Sequence, residues 1–247
     1  MNLFWLDEDP FKSIEYHCDK HIVKMPTEYK QMLSTAHRVL DGEMYIDRTK
    51  SGARIKRWKH PDRKMNRDLY LAGHVNHPTN IWLRECRENY MLMFTYYKLI
   101  CEEYTYRYGK EHGAKENWWL LREPPKNMPS LGKTTPVPQA MKEFPQCKVD
   151  GDSVQAYRNF YVVAKRRFAT WKERGAPLWY KNMTQNHNQT NSSMKCQRDK
   201  VSIEEVEDDQ PSIDDGIVED LLTSSSSDRL RPLPPCIKRG AIDHSSI

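Results

Sequence analysis

Through the first 181 residues, apolar side chains return at steps of three and four, the period of helices buried along one face. Residues 3–6 form a short apolar start ended by Pro10. A helix is predicted from about Phe11 to Leu40, with Ser13 as an early cap and Gly42 just past its end. Pro26 should kink it, because proline lacks a backbone donor and crowds the preceding turn. A second helix is predicted from NHP at Asn76–Pro78 to Tyr108, with Gly109 as its stop. Trp82, Cys86, Tyr90, Met93, Phe94, Tyr97 and Ile100 keep helical spacing there and are predicted core. A third runs from Asp152 to about Arg174, where Val154, Tyr157, Tyr161, Ala164, Phe168 and Trp171 repeat.

Between these helices the pattern lapses. Residues 42–76 read as irregular and very basic: from Arg48 to Arg67 there are nine Lys and Arg against one acid, Asp62. That density suits phosphate contacts, although a solvated loop would look the same. Residues 123–151 are rich in Pro, Gly and Lys and form a long connection, and loops of that length usually serve a function. Gly175 and Pro177 break the chain before LWYK at Leu178–Lys181. The expected fold is all-α: a compact bundle of about three long helices with long basic loops, then a disordered acidic tail.

Composition sets the boundary. All seven Trp and all thirteen Tyr lie in residues 1–181, and no aromatic follows Asn182. Residues 1–181 carry 32 Lys and Arg against 22 Asp and Glu, whereas 182–247 carry 7 against 12. A helical domain at 1–181 and a low-complexity tail at 182–247 are therefore expected. A basic body with an acidic, Pro-rich tail fits a protein that meets a polyanion, the tail competing for the basic surface or binding a protein partner. Six Cys without a C-x-x-C pair exclude a zinc ribbon or finger. The early acids of MNLFWLDEDP argue against a signal peptide, and no apolar run reaches spanning length. An intracellular, thiol-reduced monomer away from membranes is expected, in the host cytoplasm if the source is viral.

His17, His21 and Glu28, in YHCDKHIVKMPTE, are the leading candidate site. Offsets of four and eleven return to one helix face. Two imidazoles and a carboxylate on one stripe could bind a metal, move protons, or satisfy one another as a buried polar knot. The metalloprotease pattern needs Glu directly after the first His, where Cys18 stands, so no metal and no other cofactor is expected. Nothing marks Cys18 as an activated nucleophile. Arg84 and Glu88 are spaced for an ion pair along the second helix.

CDKHIVKMPTE also resembles the C-x-x-H-aliphatic-aliphatic-x4-E motif of the pyrimidine-dimer DNA glycosylase (endonuclease V) family, on Cys18, His21, Ile22, Val23 and Glu28. Shorter echoes are GHV at Gly73–Val75 and WYK at Trp179–Lys181, so the resemblance spans roughly 1–181 and none of the tail. The chain is similar also to phage-encoded proteins with HCDKH, NHP and EYTYRYGK. The resemblance implies a compact all-α fold and base excision from double-stranded DNA. A free α-amine at Met1 or Asn2 would attack the sugar C1′ and form a Schiff base. Glu28 would hold the opened sugar and move protons, and His21 would position the substrate. His17, Lys24, Arg38, Arg54, Lys56, Arg57, Arg84, Arg87, Trp179, Tyr180 and Lys181 would grip a kinked duplex. The family exposes a small residue after Met1 is removed; Asn2 is large, so Met1 is expected to stay. Three alternatives remain open: the Met1 amine serves, the lyase step is missing, or the protein modifies a pyrimidine in DNA instead of excising it. A non-enzymatic nucleic-acid-binding phage protein is the further rival.

Overall fold

A computed structural model describes residues 2–186, which fall within one compact unit. The description covers neither Met1 nor the acidic tail from 187 onward, and those expectations lie outside it. The described residues are mostly helical with one two-stranded sheet. No helix among them is long and apolar enough to cross a membrane.

The apolar start runs extended and buried: Leu3, Phe4, Trp5 and Leu6 all enter the core. Its backbone is paired by side chains. Ser13 Oγ accepts from the Leu6 amide at 2.9 Å, and Arg158 Nε donates to the Leu6 carbonyl at 2.8 Å. Ser13 therefore pins this extended segment and does not cap a helix. The cap is Asp9, whose carboxylate accepts from the Phe11 amide ahead of α1 (Pro10–Glu15).

The single helix predicted over 11–40 is broken at residues 16–18. After the break, α2 (Asp19–Asp41) runs through Pro26 to Gly42. Gly42 is needed there for close approach, since a Cβ would stand 2.4 Å from the Arg38 carbonyl oxygen. Arg107 holds the break together. It is buried, donates to the carbonyls of Glu15 and His17, and pairs with Asp19 at 3.0 Å and Glu103 at 2.7 Å. A break whose carbonyls are satisfied by a distant arginine leaves no trace in local periodicity.

Residues 42–76, read as irregular, contain regular elements up to Asp68, and 69–76 run without helix or strand. β1 (Glu43–Arg48) and β2 (Arg54–Lys59) form an antiparallel hairpin, followed by α3 (Arg63–Asp68). The predicted second helix is likewise two: α4 (Pro78–Leu83), capped by the His77 ring on the Thr79 amide, and α5 (Arg87–Tyr108). Gly109 ends α5 in the left-handed region, at φ 66°, as a C-terminal glycine does.

α5 is the centre of the body. Tyr90, Met93, Tyr96, Tyr97, Ile100 and Cys101 are buried on one half of it, but that half also buries Asn89, Glu103 and Arg107 while Met91 and Tyr106 are exposed opposite, so its sequence shows little amphipathic bias. It packs on α2, whose Met25, Tyr29, Met32, Leu33 and Ala36 are also buried. The third predicted helix shortens to α6 (Ser153–Phe160), then widens into a π-helical segment at Tyr161–Lys165 and tightens into a 3-10 turn at Arg166–Phe168. Residues 178–186 form a last helix that crosses the boundary drawn at 181.

The connection over 123–151 is held by side chains that accept from its backbone. Glu88 takes the Leu131 and Gly132 amides, Asn89 the Thr135 amide, and Asp41 the Lys126 and Asn127 amides. Glu88 is thereby occupied, and Arg84 donates instead to the Val75 carbonyl at 2.7 Å. The expected Arg84–Glu88 pair is not formed.

Candidate active site

Asn2, His21, Lys24 and Glu28 line one cleft of about 290 Å³ together with Phe4, Lys20, Met25, Lys165 and Phe168. Three elements build it: the extended start, the first turns of α2, and the π segment after α6. The spacing 21–24–28 on α2 points three functional side chains one way. The widened π turn brings Tyr161 against His21 and Lys165 into the cleft wall; such segments recur at functional sites.

His21 is buried, stacked on Phe4 with ring centroids 4.1 Å apart, and its Nδ1 lies 2.5 Å from the Tyr161 hydroxyl. Burial, aided by the neighbouring His17 ring and by the charges of Lys165, Lys24 and Lys20, holds its pKa well below the ordinary value. The ring is therefore neutral at pH 7. Burial also pushes Lys165 down, helped by the like charge of Lys24. Glu28, with its side chain 12% exposed, pairs with Lys24 at 2.7 Å. Lys20 lies over the Phe168 ring at 4.7 Å and Lys165 over Phe160 at 4.3 Å. The arrangement is one carboxylate and one neutral imidazole with three amines, half-covered by aromatic rings.

His17 does not belong to this cleft. It precedes α2, is fully buried, and contacts the Ser13 carbonyl at 2.7 Å and the Tyr29 hydroxyl at 3.4 Å. Burial drops its pKa to about 4. It is a core histidine and cannot touch DNA, and the one-face reading of 17, 21 and 28 fails because the helix starts only after His17.

Arg38 cannot contact DNA either. Buried at 2% exposure, it donates to the carbonyls of Tyr70, Trp58, Asn66 and Leu69 and to the Asn66 side chain. Arg84 is half-buried behind its bond to Val75. Tyr180 is buried against Trp171, and the Trp179 ring packs between Tyr161 and Tyr16. Arg54, Lys56, Arg87 and Lys181 are exposed, Arg57 is partly so, and none of them lines the cleft.

Sequence reading missed Lys20, Tyr161, Lys165 and Phe168 as members of the cleft. The basic run Lys165–Arg167 was a signal, but only the fold shows that Lys165 leaves the run to enter the site. One group among the described residues has metal-ligand chemistry where none was expected: His37, Asp41 and His60, at the far end of α2. The chain matches no family model, no curated protein and no solved structure.

Proposed function

We propose that the cleft is the active site of a DNA base-excision enzyme, a glycosylase with an AP-lyase step acting on a damaged or modified pyrimidine. The observation that carries this reading is the convergence of Glu28, neutral His21 and three lysines in one aromatic-walled cleft. The resemblance of CDKHIVKMPTE to the pyrimidine-dimer glycosylases supports the same chemistry. An amine nitrogen attacks C1′, and the glycosidic electron pair leaves with the base, which takes up a proton. Opening of the sugar ring then gives an iminium between that nitrogen and C1′. Glu28 moves protons between the amine and the ring oxygen, and His21 positions the sugar.

Lys165 supplies an amine on the cleft wall, and its lowered pKa raises the fraction of free amine. The exposed hairpin supports duplex binding. Its register sets Arg48 opposite Arg54, and Lys56 follows on the same face beside Ile46. Directly opposed like charges destabilise a hairpin, and phosphate contacts relieve that repulsion.

Borohydride reduces an iminium to a stable amine, so it should trap the protein on abasic-site DNA. Glu28→Gln should lower the trapping rate by about 10² to 10⁴. Peptide mapping of the adduct assigns the nucleophile to Lys165 or to the α-amine. No adduct, together with unchanged DNA turnover in Glu28→Gln, rejects excision.

A further inference from the structure

The far end of α2 carries a second constellation that excision does not use. His37 and Asp41 stand one turn apart on the last two turns of α2, and His60 is the first residue beyond β2. One ligand atom from each lies within 4.8 Å of the others. His37 and His60 are 3% and 5% exposed, yet His37 Nδ1 and His60 Nε2 have no hydrogen-bond partner among the described residues. A buried polar atom without a partner is costly and rare, and here two such rings stand beside one carboxylate, with His60 Nε2 4.0 Å from Asp41 Oδ2.

Every outward-facing atom of the group is, by contrast, satisfied. The Tyr90 hydroxyl donates to the Leu121 carbonyl at 2.8 Å, which spends its only proton. Its 2.9 Å contact with His37 Nε2 must therefore be donated by the ring, leaving a lone pair on Nδ1. Asp41 Oδ1 and Oδ2 accept the Asn127 and Lys126 amides at 2.9 and 2.8 Å, with further lone pairs directed elsewhere. His60 is set by its own amide on Asn66 Oδ1 at 3.0 Å, and Arg38 holds that same oxygen at 2.9 Å. Such outer bonds orient the ligands of a metal site.

We infer that His37 Nδ1, the Asp41 carboxylate and His60 Nε2 form a binding site for a divalent transition ion of the zinc class. Two imidazoles and a carboxylate are a ligand set for zinc with a fourth position left over, the pattern of open and not of closed structural sites. The three residues line a cavity of about 540 Å³ together with Pro61, Met65, Leu120, Glu123, Pro124 and Lys126, and that position can open into it. A water or an oxygen ligand can enter there.

Ligand atoms on one tetrahedral zinc ion stand about 3.4 Å apart, so His60 Nε2 and Asp41 Oδ2, now 4.0 Å apart, draw together on loading. The Asp62 amide donates to His60 Nδ1 at 3.1 Å, which in the neutral ring places the proton on Nε2. Loading moves that proton to Nδ1 and breaks the bond from the Asp62 amide. His60 is therefore the ligand that adjusts, while His37 is already in the binding tautomer.

The full chain, stripped with chelator and titrated with Zn²⁺ or Co²⁺, tests this. One equivalent should bind, Co²⁺ should show the visible absorption of a four- or five-coordinate site, and the thermal midpoint should rise. His60→Gln and Asp41→Asn should each weaken binding by more than about 10², since loss of an outer partner alone typically costs about 10 to 100. Tyr90→Phe, which frees the His37 tautomer, should weaken it by about tenfold. Circular dichroism of each variant separates lost binding from lost folding, and at least His60→Gln, beside an open cavity, should stay folded. Substoichiometric binding, unchanged affinity in His60→Gln, or an equal loss in His21→Gln would overturn the assignment.

Discussion

Arg38 and Arg54 lie sixteen residues apart and have opposite fates. Arg38, on the α2 face toward the body, has all its donors taken by carbonyl and amide oxygens, with no carboxylate among them. Arg54, on the hairpin that leaves the end of α2, is exposed, with Arg48 opposite across the ladder. Arg107 is buried likewise, but between the carboxylates of Glu103 and Asp19 as well as on the carbonyls of Glu15 and His17. The contrast teaches that a count of Lys and Arg overstates the charge a polyanion can meet. Arginine carries five donors in a fixed fork, and where several backbone carbonyls converge it serves as a structural clamp. Exposed charge that a polyanion could meet includes Arg48, Arg54 and Lys56 of the hairpin and Lys20 and Lys24 at the Glu28 cleft.

Breaking the clamp should have the largest effect on stability. Arg38→Ala leaves several buried carbonyls unpaired and should cost about 3 to 5 kcal/mol, which lowers the thermal midpoint by roughly 10 °C. The salt slope of DNA binding, measured while the variant is still folded, should not change; a reduced slope would return Arg38 to the DNA surface.

Acid tests the same buried seam. His17 folds with a pKa near 4 against an ordinary value of 6.5, so the unfolded chain binds the extra proton between those pH values. Its contribution is complete above pH 6.5 and is lost as pH falls toward 4. From about pH 7 to about pH 5, denaturant unfolding should lose about 2 kcal/mol through this group. Burial shifts His21 the same way. His17→Gln should flatten the pH dependence, and an unflattened profile would mean that His17 is not buried as a neutral ring.

The hairpin should give the smallest change in stability and the clearest change in binding. Arg54→Ala with Lys56→Ala should move stability by no more than about 0.5 kcal/mol. The slope of log affinity against log salt should shrink by nearly two, about 0.9 for each phosphate that is no longer neutralised. An unchanged slope would place the duplex elsewhere.

Much of the helical framework was legible because its signals are local. Gly42 and Gly109 end α2 and α5 where expected, and the NHP turn starts a helix. His21, Lys24 and Glu28 share a face because helical offsets decide it. The breaks after α1 and α4 were not legible, because residues far along the chain satisfy backbone groups there: Arg107 the Glu15 and His17 carbonyls, and the Pro129 carbonyl the Arg87 amide. The hairpin was hidden by its composition: Arg, Lys, Asp and Glu fill strands exposed on both faces, where the alternation that marks a half-buried strand is absent. His37 and Asp41 carry an i, i+4 signal too common on helices to single them out, and His60 joins them only through the fold.

Periodicity and terminating residues thus set where helices run and which side chains of α2 can stand together, since both depend on a few neighbouring dihedral angles. Whether a given Arg or His is a clamp, a core ring or a free functional group was decided by tertiary structure. That outcome depends on burial and on hydrogen-bond partners brought in from residues distant in the chain, and linear spacing carries no record of either.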